Sequence, residues 1–145
     1  MRYCILVLAL AGAIVSALAL QVHYSTGTEP CDINAKWDCG IVNHSSYSTF
    51  LHVPVAAIGI AGYLLLGVLA LVRRRWLLLL ASLVALGFAL YLSHVEKDIL
   101  EVWCLYCVIS QGVIALLTLC SLGWLVVFQR SKMRSTKPAH NPPEK

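Results

Sequence analysis

Six cysteines stand in this chain: Cys4, Cys31, Cys39, Cys104, Cys107 and Cys120. Two of their spacings can do chemistry. Cys104-Leu105-Tyr106-Cys107 is a C-x-x-C. Residues three apart share a helix face, and a helix start offers unpaired backbone N–H groups and the positive end of the helix dipole. That environment favours the thiolate of the first cysteine, which is the reactive species. The second cysteine is then close enough to resolve a mixed disulfide. Cys31 and Cys39 have seven residues between them, in a stretch with Gly27, Pro30 and Gly40. A mobile dithiol beside a fixed one forms a relay, because exchange requires only that one thiolate reach the other disulfide. Other chemistries fit the same residues: two structural disulfides stapling a loop, four thiolates on a structural zinc, or thiols serving metal transport or insertion. Zinc favours two close-spaced pairs, and only one pair here is C-x-x-C, so no metal is expected.

The elements that must position these thiols follow from where the charges are not. The chain has 145 residues, 59% of them apolar and 12% charged, with a mean hydropathy of +0.78. Four blocks, at about 3–22, 53–72, 76–94 and 102–128, contain no Asp, Glu, Lys or Arg. A helix needs about 20 apolar residues to cross a bilayer core, and each charge at its centre costs roughly 2.5–3.5 kcal/mol. Membrane β-barrels show short alternating segments instead, so the backbone must be satisfied within helices. The expected fold is an all-α membrane protein: a four-transmembrane-helix bundle with an extracytoplasmic, cysteine-containing loop between helices 1 and 2. Residues 1–130 form the membrane domain, and 131–145 a disordered basic cytoplasmic tail.

The formal net charge of +4 does not indicate nucleic acid, because the basic residues abut the ends of the apolar blocks: Arg2, Arg73–Arg75, then Arg130, Lys132, Arg134 and Lys137. The connections at 23–52 and 95–101 carry mostly acids, among them Glu29, Asp32, Asp38, Glu96, Asp98 and Glu101. Positive segments stay in the cytoplasm, which puts both termini inside and both acidic connections outside. All four cysteines of interest then share the outer face, where disulfides persist. Cys4 lies at the inner end of the first block, and Cys120 is sixteen residues past Cys104, roughly 24 Å along a helix. Neither reaches the outer group, and both read as small packing residues. Arg2, the first apolar run and Ala17-Leu18-Ala19 also resemble a signal peptide cleaved after Ala19, although the run is long for one.

Taken in order, Cys31-Asp32-Ile33-Asn34, Cys39, Asn43-His44-Ser45-Ser46-Tyr47, Val53-Pro54-Val55-Ala56-Ala57-Ile58-Gly59 and Trp103-Cys104-Leu105-Tyr106-Cys107-Val108 resemble the vitamin K epoxide reductase family, in particular its bacterial members. The resemblance covers roughly residues 5 to 128. It implies a four-helix bundle around a quinone pocket capped by the loop, with Cys104 and Cys107 as the active-site pair and Cys107 nearest the quinone. It implies that Cys39 exchanges with Cys104, that Cys31 faces an external protein, and that Ser45 hydrogen-bonds near the quinone or the reactive cysteine. Bacterial members reoxidise a periplasmic thioredoxin-like disulfide donor with ubiquinone or menaquinone as acceptor. The expected setting is therefore the bacterial inner membrane, and the lack of a fused thioredoxin-like domain after the last helix points to a separate partner protein. Reduction of vitamin K quinone or epoxide by the same cysteines is the runner-up. A non-catalytic membrane protein with structural disulfides is the alternative of a different class.

Two further residues are candidates for the quinone pocket. His52, where many relatives have Gly, lies at the outer end of helix two and could donate to developing negative charge. Gln111 lies one turn below Cys107 on the same face, and a neutral polar group inside a membrane helix faces protein more often than lipid. Trp37, Trp103 and Tyr106 suit an interfacial aromatic belt.

Overall fold

The computed structural model describes residues 1–25, 27, 31–34, 36–50 and 52–135. Glu29, counted above among the outer acids, and tail residues 136–145 lie outside the described residues. The chain is mostly helical. Helix α1 runs Arg2–Tyr24, short helix α2 Cys39–His44, α3 Val55–Leu71, α4 Arg75–Val95 and α5 Leu105–Ser135. A single 3-10 turn, Ser46–Ser48, and a two-stranded ribbon, β1 Thr49–Phe50 with β2 Val53–Pro54, join α2 to α3. A π-helical turn, Glu96–Leu100, continues α4. Among the described residues, three stretches are long and apolar enough to cross a membrane: Arg2–Tyr24, Arg75–Leu100 and Leu105–Arg134. Helix α3 is shorter, at 17 residues.

Helix α1 packs against α3 and α5, and α4 packs against α5 and α3. The buried residues of α1 are Ile5, Ala9, Gly12, Ser16, Ala19 and Val22, spaced as one stripe of a regular helix. That stripe meets Tyr63, Leu66, Ala70, Leu78, Ile114 and Leu117 in the main core. The opposite faces carry Leu10, Ile14, Leu64, Val68, Leu80, Val84, Leu116 and Leu119, all exposed. Large apolar patches of this kind do not face water in a soluble monomer, but they are what a lipid solvent requires. Between helices the contacts are small and polar, as membrane packing favours. Ser82 Oγ lies 3.2 Å from Ser121 Oγ, and Thr118 Oγ1 donates to the Ser82 carbonyl at 3.3 Å.

Helix ends are where the structure departs from expectation. The last helix starts at Leu105, not 102, and the segment expected to be a disordered tail from 131 is helical as far as Ser135. No proline occurs between Pro54 and Pro138 to stop it. Arg130, Lys132 and Arg134 complement the negative end of the helix dipole, and Ser131 Oγ donates back to the Phe128 carbonyl at 2.8 Å.

Candidate active site

The site is built where the end of α1, the loop carrying α2 and the start of α5 converge. Val22, Cys31, Cys39, Val42, Val102 and Cys104 form one buried cluster, with Tyr106 and Cys107 packed against it. Both cysteine pairs therefore belong to one small core, separate from the one deeper in the bundle. Cys4 and Cys120 are elsewhere: their sulfurs approach to 3.6 Å between α1 and α5. Neither joins the outer group, but they meet each other, a contact that packing alone did not lead us to expect.

The loop is docked by backbone pairing. The Trp103 N–H donates to the Lys36 carbonyl at 2.8 Å, and the Asp38 N–H to the Trp103 carbonyl at 3.1 Å. The Trp37 and Trp103 rings lie 6.4 Å apart, so these aromatics join the loop to the C-x-x-C segment and are not simply an interfacial belt. Two carboxylates begin α2. Asp38 caps it by accepting from the Ile41 N–H at 2.8 Å. Asp32 accepts from Cys39 N–H at 2.9 Å and Gly40 N–H at 3.2 Å. Such caps contribute about 1 kcal/mol each, and here they fix the residue that carries the second loop thiol. Cys31 and Cys39 are joined as a disulfide with Cα atoms 5.8 Å apart. Cys31, Asp32 and Cys39 would offer a metal three donor atoms within 4.8 Å, but the disulfide occupies both sulfurs.

Cys104 and Cys107 are free thiols. Cys104 immediately precedes α5 and is fully buried; Cys107 lies in the first turn. The Cys107 N–H donates to Cys104 Sγ at 3.4 Å, and Asn43 Nδ2 approaches the same sulfur at 3.7 Å. Asn43 also donates to the Cys39 carbonyl at 2.9 Å, so a single amide spans both cysteine pairs. Hydrogen bonding from the Cys107 thiol and backbone holds the Cys104 thiol below its ordinary pKa, against burial and the nearby Glu96 charge. The helix-start argument made from spacing thus has a local cause: donors converge on the first sulfur.

Cys107 also lies on the wall of a cavity of about 520 Å³ that Cys104 does not line. Pockets for small organic ligands are typically about 300–1,000 Å³ and mostly apolar. Leu66, Phe50, Phe88, Ala85 and Ile114 supply apolar wall here. Ser45 and Gln111 line it too. Gln111 accepts from Ser93 Oγ across to α4, and Ser45 Oγ donates to the Val42 carbonyl at 2.8 Å. The Tyr63 hydroxyl donates to the Ser110 carbonyl at 2.8 Å at another part of the wall. His52 is not on the wall. It is exposed, in the turn of the ribbon, with φ 66°, a conformation that favours glycine.

Spacing did not single out Asn43 or Glu96. Glu96 is 3% exposed, and its carboxylate accepts from the Cys104 N–H at 3.1 Å. In the sequence it stands among the outer acids with nothing to mark it as buried. The only available signal was its position directly after the charge-free 76–94 block.

This combination of a docked loop disulfide, a helix-start dithiol and an apolar cavity beside the second thiol accords with one comparison. The model of the vitamin K epoxide reductase family matches residues 3–122. The chain belongs to that family. Family membership makes it a membrane-bound oxidoreductase that works through cysteines. In this vitamin K epoxide reductase family member, the matched span includes both cysteine pairs, Asn43 and Glu96.

Proposed function

We propose that the protein is a four-span, quinone-dependent thiol oxidoreductase of the bacterial inner membrane that reoxidises a separate periplasmic thioredoxin-like protein. Both termini would be cytoplasmic and both cysteine pairs would lie at the outer face. The observation that carries this reading is the split environment of the C-x-x-C. Cys104 is packed with the loop disulfide, while Cys107 faces an apolar cavity. Electrons enter on one side of the pair and leave on the other.

A quinone in that cavity would supply a two-electron, two-proton acceptor. The apolar wall suits its ring and tail. Gln111 and Ser45 are polar groups on the same wall that could orient its oxygens. The protein's part begins with a partner thiolate attacking the Cys31–Cys39 disulfide at Cys31. The freed Cys39 thiolate then exchanges with an oxidised Cys104–Cys107 pair at Cys104. The partner's second thiolate displaces Cys31, and the partner leaves as its disulfide. The freed Cys31 thiolate then attacks the Cys39–Cys104 mixed disulfide at Cys39, which re-forms Cys31–Cys39 and leaves Cys104 and Cys107 reduced, the pairing this structure has. The reduced pair then returns to the disulfide, giving two electrons and two protons to the acceptor.

The test is to incubate the purified protein with a reduced thioredoxin-like protein and ubiquinone. Quinol formation is expected in the wild type and should fall to background in Cys104→Ala and in Cys107→Ala. Full activity in both variants would refute the assignment.

A further inference from the structure

Returning the reduced pair to its disulfide releases two protons, and reducing a quinone consumes two. Both events belong to an apolar cavity that offers few groups to move them. Among the described residues on its wall, the ionisable groups are Glu96, Cys107 and the tyrosines Tyr47, Tyr63 and Tyr106. No Asp, His, Lys or Arg is among them. A carboxylate accepts a proton far more readily than a neutral phenol does, so Glu96 is the wall group, apart from the reacting thiol, suited to take up a proton and pass it on.

Its placement suits that task. Glu96 begins the π turn after α4 and is 3% exposed. One carboxylate oxygen is fixed by the Cys104 N–H at 3.1 Å. Glu96 and Cys107 line the same cavity. A buried carboxylate is costly unless it is paired or hydrogen-bonded, and this one is held by the backbone of the first C-x-x-C cysteine. The carboxylate is thus anchored at the start of the dithiol and shares the cavity wall with the sulfur that faces it.

We infer that Glu96 is a catalytic residue, the proton carrier between the Cys104–Cys107 pair and the quinone. The inference rests on the quinone-dependent reading above. The Cys107 S–H bond breaks and its proton passes to the Glu96 carboxylate. The Cys104 proton follows by way of Cys107 once the first has been delivered. The S–S bond forms between Cys104 and Cys107, two electrons pass to the quinone, and Glu96 returns each proton to a quinone oxygen. Two thiols and one quinone become one disulfide and one quinol, with Glu96 ending as the carboxylate it began as.

Glu96→Gln keeps an oxygen for the Cys104 N–H but cannot carry a proton. Full-length protein, pre-reduced and mixed with a short-chain ubiquinone, should show a limiting single-turnover rate lowered roughly 10²- to 10⁴-fold, the usual scale for general acid–base catalysis. The quinone concentration giving half that rate should stay within threefold. Glu96→Asp, still able to carry a proton, should keep more than a tenth of the wild-type rate. A second readout needs no quinone. Glu96 opposes ionisation of Cys104, so thiolate absorbance in the reduced Glu96→Gln protein should appear at lower pH than in wild type.

A Glu96→Gln rate within threefold of wild type would overturn the inference and leave the quinone reading standing. So would rate and half-saturation failing together in both Gln and Asp variants, since that marks a structural cap. An unmoved thiolate titration would also overturn it, because the carboxylate would then not face the sulfurs. If Glu96→Gln does not fold, the Asp variant decides: a rate below a tenth of wild type in folded protein sinks the inference. A wild-type protein that reduces no quinone would sink the proposed function itself.

Discussion

A thiol of ordinary pKa is mostly protonated at neutral pH, so the groups aimed at Cys104 Sγ set how fast the pair exchanges. The Cys107 thiol contributes most, the Cys107 and Tyr106 backbones add to it, and burial and Glu96 oppose them. The sign follows from the lowered pKa. The thiolate persists as pH falls below the ordinary thiol range, and it is lost only when acid passes the lowered value. Asn43 adds a donor 3.7 Å from the same sulfur. Asn43→Ala should move that loss to higher pH and slow exchange at neutral pH about fivefold, on roughly 1 kcal/mol for one net hydrogen bond. Ultraviolet thiolate absorbance, with Cys4 and Cys120 replaced by Ala, measures the first effect. An unmoved titration would mean that Asn43 only braces α2. At this scale the thiols were legible, because C-x-x-C carries its chemistry in its spacing. Asn43 and Glu96 were not. Asn43 reaches Cys104 across 61 positions of sequence, and Glu96 differs from its acidic neighbours only through burial, which a local pattern does not record.

Elements were legible to the extent that lipid enforces them. A charge-free run of about 20 residues has few alternatives to a membrane helix, so the blocks stood out, while their ends depended on caps and turns. Glu101 and Arg73, with φ of 54° and 60°, sit in the tight connections that set where α5 and α4 begin. Helix packing shows a similar split. Small residues such as Gly12 in α1 and Gly59 and Gly62 in α3 permit close helix approach, but only tertiary structure says which ones are used. A Cβ built on Gly12 would fall 2.2 Å from the Tyr63 ring, whereas one on Gly62 would meet nothing within 4 Å. Gly12→Ala should therefore cost about 1–3 kcal/mol through overpacking, and Gly62→Ala should be close to neutral. Thermal unfolding in detergent compares the two. Equal midpoints would show that α1 and α3 are not pressed together at Tyr63, and the Tyr63–Ser110 contact that braces the cavity would lose its support.

For the molecule as a whole, the proposed function gathers the redox chemistry at one end of the bundle. Val22 near the end of α1 packs with Cys31, Cys39 and Cys104, while Cys4 near its start touches Cys120. Helices α1 and α5 are thus antiparallel, and the two groups of thiols lie at different depths. Arg2, Arg73–Arg75 and Arg130 are the basis, through the positive-inside rule, of the proposal that the Cys4 end is cytoplasmic. In intact cells, a membrane-impermeant maleimide added with a mild reductant should label Cys31 and Cys39, and it should leave Cys4 and Cys120 untouched until the membrane is opened. Labelling should be slow before reduction and slow again just after it, since Cys31 is 1% exposed and Cys39 fully buried. The loop must lift from Trp103 to be reached, so Trp103→Ala should quicken it several-fold by removing the Trp37–Trp103 contact. Label on Cys4 from outside, with Cys31 protected, would invert the orientation. Label on Cys31 and Cys107 from opposite sides would end the relay altogether, because thiol–disulfide exchange does not act across a bilayer.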